Sequence, residues 1–262
     1  MVKMDRGRPI ALILGGSSGL GAATAKKLAR EAYDIVVVHR DRRADMEKIN
    51  ALFHTIEDMG AKCHGFNADA VHPVKRLELW RNIKEVLKGQ KIKVVVHSIA
   101  KGNLKPMIGP GETLNNQDFQ ITLQAMAVSL FDWVKQIADD NCFDEDARVI
   151  AFTSEGSTKA IPDYAAVSAS KAALESIIRN IALEFAPLGI RANCIQAGVT
   201  ETKALKLIPK HGALIKNAIH RNPHNRLTIP EDVANAVYLL TLPEAAWITG
   251  TVIKVDGGES LQ

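Results

Sequence analysis

Short apolar runs recur along this chain without polar alternation, Val-Val-Val at 94–96 the clearest of them. A strand that is buried on both faces reads this way, whereas a half-buried strand alternates. Strands are predicted at 10–14, 35–38, 62–66, 94–97, 149–153, 192–195 and 252–255. Longer amphipathic stretches between them predict helices at 20–31, 44–59, 74–87, 116–139, 165–186 and 230–240. Strand–helix–strand repetition confines the chain to an α/β architecture: a doubly wound, parallel, seven-stranded sheet with helices on both faces and right-handed crossovers. Ligands of such sheets bind beyond the carboxyl ends of the strands. No linker or internal repeat divides residues 1–262, so one domain is expected.

Several function classes are disfavoured. The net charge is only +4, from 33 basic and 29 acidic residues. That is enough to help attract an acidic substrate or partner and too little to argue for nucleic acid. Cys63, Cys142 and Cys194 are odd in number and lack a C-x-x-C, so neither a disulfide framework nor a zinc site is expected. No His/Asp/Glu cluster has metal-ligand spacing. The charged N-terminus, 1–9, leads into no signal-peptide core. No apolar run approaches the ~18 residues of a membrane span. A cytoplasmic protein with reduced thiols and no membrane contact is expected.

Two features carry chemistry. Gly15-Gly16-Ser17-Ser18-Gly19-Leu20-Gly21 follows the first strand and opens the first helix. Glycines there allow a tight turn and close approach of a pyrophosphate, and the helix N-terminus supplies free N–H groups; a plain strand–helix turn is the alternative. The second strand ends in His39-Arg40-Asp41-Arg42-Arg43. Arginines suit a 2′-phosphate, so Arg40 with Arg42 or Arg43 favours NADPH over NADH, with Asp41 arguing the other way. Further on, Tyr164 and Lys171 lie seven residues apart. At ~100° per residue both would leave one helix face, setting a proton-donating phenol beside an ammonium group.

The spacing G-x-x-x-G-x-G, Tyr164 with Lys171, and the closing Val255-Asp256-Gly257-Gly258 resemble the short-chain dehydrogenase/reductase superfamily over nearly the whole chain. The common pattern is broken in places. Val167 stands four before Lys171, where most members have the tyrosine. Gln124 stands at about the usual asparagine, Ala197-Gly198 replaces Pro-Gly, and Leu14 replaces a threonine. Tyr-x6-Lys is instead the spacing of the enoyl-[acyl-carrier-protein] reductases, which 96–100 (VHSIA), 160–164 (AIPDY) and 197–202 (AGVTET) also resemble. One branch of that family has a second tyrosine where this chain has Ser154, and lacks this glycine loop. The closer resemblance is to the NADPH-using enoyl reductase III type.

That resemblance implies a Rossmann fold, a homotetramer packed through 116–139 and 165–186, and NADPH-dependent reduction of the C2–C3 double bond of trans-2-enoyl thioesters in fatty-acid biosynthesis. The acyl group would ride on acyl carrier protein. The cofactor would meet Gly15, Ser17, Ser18, Gly19, Leu20, Gly21, Arg40, Arg42, Asp69, Ala70, Ser98, Ile99, Ala100, Lys171, Thr200 and Thr202. Tyr164 would hydrogen-bond the thioester carbonyl and stabilise the enolate, Lys171 would hold the nicotinamide ribose, and Ser154 would assist. Moving a tyrosine three residues along a helix shifts it ~4.5 Å, a suitable shift toward an enolate oxygen. Plainer readings stand beside these: turn-capping for Asp69, strand-end or turn residues for Ser154, Thr200 and Thr202, and a packed core histidine for His97. Other activities left open are enoyl-CoA or dienoyl-CoA reduction, carbonyl (3-oxoacyl) reduction, and non-catalytic nucleotide sensing. Two irregular segments, 100–112 and 197–222, are expected to shape the pocket. The second is read as a lid with Leu205, Leu207, Ile208, Leu214 and Ile215 on an apolar inner face, and lysines that would receive an acidic carrier protein.

Overall fold

A computed structural model describes residues 7–209 and 211–262. Positions 1–6 of the charged N-terminus and Lys210 of the 197–222 segment lie outside the described residues. The strands are β1 (Ile10–Leu14), β2 (Asp34–His39), β3 (Cys63–Asn67), β4 (Ile92–His97), β5 (Phe143–Ser154), β6 (Ile190–Ala197) and β7 (Val252–Val255). They pair in parallel in the order β3-β2-β1-β4-β5-β6-β7. The order reverses between β1 and β4, which opens a crevice at their carboxyl ends.

Helices cover both faces. On one side lie α1 (Gly19–Arg30) and α2 (Met46–Glu57), with α9 (Pro230–Thr241) beside them; on the other, α3 (Pro73–Leu87), α4 (Asn116–Leu123), α5 (Ser129–Asp139) and α6 (Ala165–Glu184). β1 shows why its apolar run is continuous. Leu12 and Leu14 pack with Trp80 and Trp133 on one face, while Ala11 and Ile13 pack with Leu28 and Val237 on the other. The Trp80 and Trp133 rings meet edge to face at 6.3 Å, and Trp133 Nε1 donates to the Ala70 carbonyl at 3.0 Å. Ile178 and Ile181 of α6 are spent on this core.

Three expectations need correction. The helix over 116–139 is broken by a π turn at Gln124–Val128, where the Ser129 N–H reaches back to the Gln124 carbonyl. The 197–222 segment is not irregular throughout: it folds into α7 (Lys203–Lys206) and α8 (His211–Arg221). Tyr164 lies just outside α6 as its N-cap residue, with φ −118° and ψ 4°. The helical register argued from the seven-residue spacing therefore holds for Lys171 and not for Tyr164.

Candidate active site

The carboxyl ends of all seven strands open onto one cavity of about 530 Å³. Its wall carries Gly15, Ser17, Ser18, Gly19, Leu20, Arg40, Asp69, Ala70, Ser98, Ile99, Ala100, Ser154, Tyr164, Lys171, Thr200 and Thr202. Two of the residues singled out from the sequence, Gly21 and Arg42, are not on that wall. Arg42 is exposed. Gly21 lies behind it: a Cβ there would sit 2.2 Å from the Gly15 carbonyl oxygen, so only glycine lets α1 close onto the loop.

The loop is shaped for an anion. Gly15 has φ +90°, and a Cβ on it would be 2.5 Å from the Ser98 carbonyl oxygen. The first turn of α1 holds no acidic residue, and its N-cap Ser18 makes no side-chain cap bond, so the positive end of the helix faces the cavity unspent. A dinucleotide pyrophosphate fits this cradle. At the far end Arg40 Nη1 donates to Asp69 Oδ2 at 2.9 Å. The other Asp69 oxygen accepts the Val71 and His72 N–H groups, so this residue also caps its turn. Burial pushes Asp69 up, but the Val71 N–H and Arg40 outweigh it and hold the carboxyl below its usual range. Asp41 meanwhile points at His39, with 3.0 Å between Oδ2 and Nδ1.

The reactive groups lie between β5 and α6. Lys171 is buried, and its Nζ donates to the Phe152 carbonyl at 2.7 Å. Burial pulls it down to about 8, with Glu175 a partial offset. Tyr164 is pushed up by burial, and the nearby Ser154 hydroxyl only moderates this, so at neutral pH the phenol keeps its proton. The Ser154 contact falls short of full hydrogen-bond geometry, which leaves Ser154 Oγ buried without a partner. Gly156 makes room for the ring: a Cβ there would be 2.8 Å from Tyr164 Cε1. Val167 packs with Ala125 and Met126 of the π turn, beneath Leu104 and Tyr164. His97 is the packed histidine of the plainer reading. Its Nε2 meets Ser129 Oγ at 2.8 Å, and burial first, then the Lys171 charge, lowers it to about 3. Thr200 donates to the Gly198 carbonyl, while Thr202 caps α7 by accepting the Leu205 N–H at 3.2 Å. Leu205, Leu207, Ile208 and Leu214 line the cavity, Leu205 buried and Leu207 largely exposed; Ile215 does not.

Residues missed from the sequence include Gly156, Met126 and Glu259, all of them set by packing between distant segments. Among the described residues no cluster of His, Cys, Asp and Glu could hold a metal ion.

Residues 15–260 match the family described as Enoyl-(Acyl carrier protein) reductase. The chain belongs to the short-chain dehydrogenase/reductase superfamily and is an oxidoreductase. A 1-cyclohexenylcarbonyl-CoA reductase of Streptomyces collinus is 26% identical over 256 residues, covering 97% of this chain and 88% of that protein. A solved enoyl-[acyl-carrier-protein] reductase (NADH) from Aquifex aeolicus has a TM-score of 0.84 at 23% identity, covers 97% of each chain, and supports the fold alone. A short-chain dehydrogenase from Burkholderia cenocepacia, solved in complex with NADP, has a TM-score of 0.81 at 26% identity over 97% of this chain and 98% of its own. The superfamily binds a nicotinamide cofactor. Among the described residues, no helix is long and apolar enough to cross a membrane.

Proposed function

We propose that this protein is an NADPH-dependent reductase of the C2–C3 double bond of trans-2-enoyl thioesters, working in fatty-acid biosynthesis. One observation carries the reading: a protonated Tyr164 phenol stands beside the unpartnered Ser154 hydroxyl on the cavity wall, while apolar Val167 fills the position four before Lys171. When bound, the nicotinamide supplies hydride to C3. Negative charge then develops on the thioester oxygen, two carbons away, and a donor is needed there. Tyr164 O–H donates to that oxygen and holds the enolate, with Ser154 Oγ a second donor from β5. The buried ammonium of Lys171 keeps the field at this point positive. C2 takes a proton from solvent to complete the addition, so that one hydride and one proton cross the double bond while Tyr164 keeps its own.

Arg40 favours NADPH, because a 2′-phosphate is a stronger partner for an exposed guanidinium than the Asp69 carboxylate it now meets. The NADP complex of the Burkholderia neighbour supports this choice. The named substrate of the Streptomyces relative, an unsaturated acyl-CoA, supports thioester reduction. Acyl carrier protein as the carrier, a homotetramer and a cytoplasmic location complete the reading.

Following NADPH absorbance with crotonyl and acetoacetyl thioesters side by side tests it. Oxidation with the crotonyl thioester alone is expected. Oxidation with acetoacetyl alone would make the protein a carbonyl reductase, and cofactor binding without turnover would make it a sensor.

A further inference from the structure

Arg221, the last residue of α8, is outside the chemistry described above. Its two terminal nitrogens reach the two Glu155 oxygens at 3.3 and 2.9 Å, and Nη2 also reaches Glu259 Oε1 at 2.8 Å. Glu155 directly follows Ser154 at the end of β5. Glu259 is only 3% exposed, and its other oxygen accepts the Val199 N–H at 3.0 Å, just past β6. One guanidinium therefore joins the ends of two core strands, the C-terminal turn Glu259–Leu261 and the helix over the cavity. Both carboxylates are on the cavity wall. The fit is close: a Cβ on Gly198 would lie 2.9 Å from Glu259 Oε2.

The roof formed by α7 and α8 is thus held at both ends. Its first anchor is Thr202, which caps α7 and lies against Gly19 of the nucleotide loop, where a Cβ would be 3.3 Å from Thr202 Cγ2. Its second is Arg221. Between them Leu205, Leu207, Ile208 and Leu214 face the cavity. Remove the guanidinium and two like charges face each other, with Lys159 on Glu155 the cation that remains. A lysine at 221 would keep the charge but lose the fork that matches a carboxylate.

We propose that Arg221 is a positioning residue: by sharing its guanidinium between Glu155 and Glu259 it holds the α7–α8 roof closed and sets affinity for the acyl substrate, not for the cofactor. The acyl clause rests on the reductase reading above; the roof clause does not.

Arg221→Gln and Arg221→Lys test it against the wild type. Tryptic cleavage after Lys203, Lys206 and Lys216 should be about tenfold faster in the Gln variant and faster by less in the Lys variant, with cleavage outside 203–221 unchanged; the site after residue 221, which the Gln variant lacks, is left out of the comparison. The KM for a crotonyl thioester should rise about tenfold while kcat stays within about threefold. NADPH affinity, read by fluorescence without turnover, should stay within about twofold. Adding Glu155→Gln to Arg221→Gln removes the repulsion and should return roof cleavage part-way. A folded Arg221→Gln protein cleaved at the wild-type rate would overturn the proposal, as would an equal loss of NADPH affinity. If the Gln variant does not fold, the Lys variant decides on the same readings. If the wild type does not turn over the crotonyl thioester, the reductase reading fails while cleavage and NADPH binding still decide the clamp.

Discussion

The two ends of the central strands treat buried cations in opposite ways. At the amino ends, the Asp146 carboxylate collects Lys93 at 2.8 Å, Arg148 at 2.6 Å and Arg191 at 2.8 Å. Arg148 is 1% exposed, and its Nε also donates to the Leu240 carbonyl. Burial would push Asp146 up, but Arg148 and Lys93 overcome it and hold the carboxyl at about 2. At the carboxyl ends, Lys171 is also buried and bonds a carbonyl instead of a carboxylate. The nearby Glu175 is engaged by the Thr153 hydroxyl at 2.6 Å. A cation with a carboxylate partner is settled and serves the fold. One kept without that partner retains part of its desolvation cost, and its charge stays available to a ligand.

Exchanging the two sites' fates is the strongest way to break this contrast. Lys171→Met is expected to cut turnover about a thousandfold while leaving the melting temperature unchanged or raised, because a methionine fills the same apolar path without a charge to desolvate. Asp146→Asn is expected to cost about 2 kcal/mol in denaturant melts, since it leaves Arg148 and Arg191 without their carboxylate and Lys93 with only Asp144 at 3.3 Å; the group is 35% exposed, which keeps the cost below that of a fully buried pair. Its turnover should stay within about twofold of the wild type. A Lys171→Met protein as unstable as Asp146→Asn would remove the distinction.

The pH dependence should divide along the same line. Asp146 has a depressed folded value, about 2 against an ordinary 3.8, so its contribution is present above pH 4 and lost as pH falls through 2. Lys171 is a base with a depressed value, about 8 against 10.5. Between those values this lysine binds more protons in the unfolded chain than in the folded one, so its own contribution to stability rises with pH across this window. Activity should move the other way, falling above pH 8 as the ammonium is lost. From pH 7 to 10 wild-type turnover should fall while the stability of the wild type measured against Lys171→Met rises; taking the difference removes the buried thiols Cys63 and Cys194, whose values are raised to about 12 and which lower the stability of both proteins above pH 9.

The strand runs were legible because both sheet faces are apolar, and β1 and β7 have the predicted limits. The glycine loop was legible for a related reason: Gly15 and Gly21 touch backbone, and such contacts admit one residue type. The π turn at Gln124–Val128 was not, since Gln-Ala-Met-Ala-Val has ordinary helical periodicity and the segments the turn packs against, at Val167 and Gly102, are distant in sequence. Helices α7 and α8 were hidden by their short lengths and by the Pro209 between them, which reads as a loop. The Asp146 cluster joins β4, β5 and β6 through bonds that span 53 and 45 residues of sequence, and no local pattern marks it. Site chemistry thus reads out when it depends on residue type at fixed spacing, and stays silent when it depends on which strands become neighbours.

The smallest expected effects separate two adjacent hydroxyls on β5. Thr153 Oγ1 donates to Glu175 at 2.6 Å inside the protein, whereas Ser154 Oγ, one residue on, is buried toward the cavity without a partner. Thr153→Val deletes a satisfied bond to a charged group and leaves Glu175 under-bonded, so a loss of about 1.5 kcal/mol in stability is expected. Ser154→Ala deletes a group that nothing in the fold uses, so stability should change by less than about 0.5 kcal/mol. Its turnover should fall about tenfold, the share of a secondary donor to a developing oxyanion. Denaturant melts and turnover on the same two variants give the comparison directly. If Ser154→Ala were the less stable protein and kept full turnover, its hydroxyl would belong to the fold, and Tyr164 would act on the thioester oxygen alone.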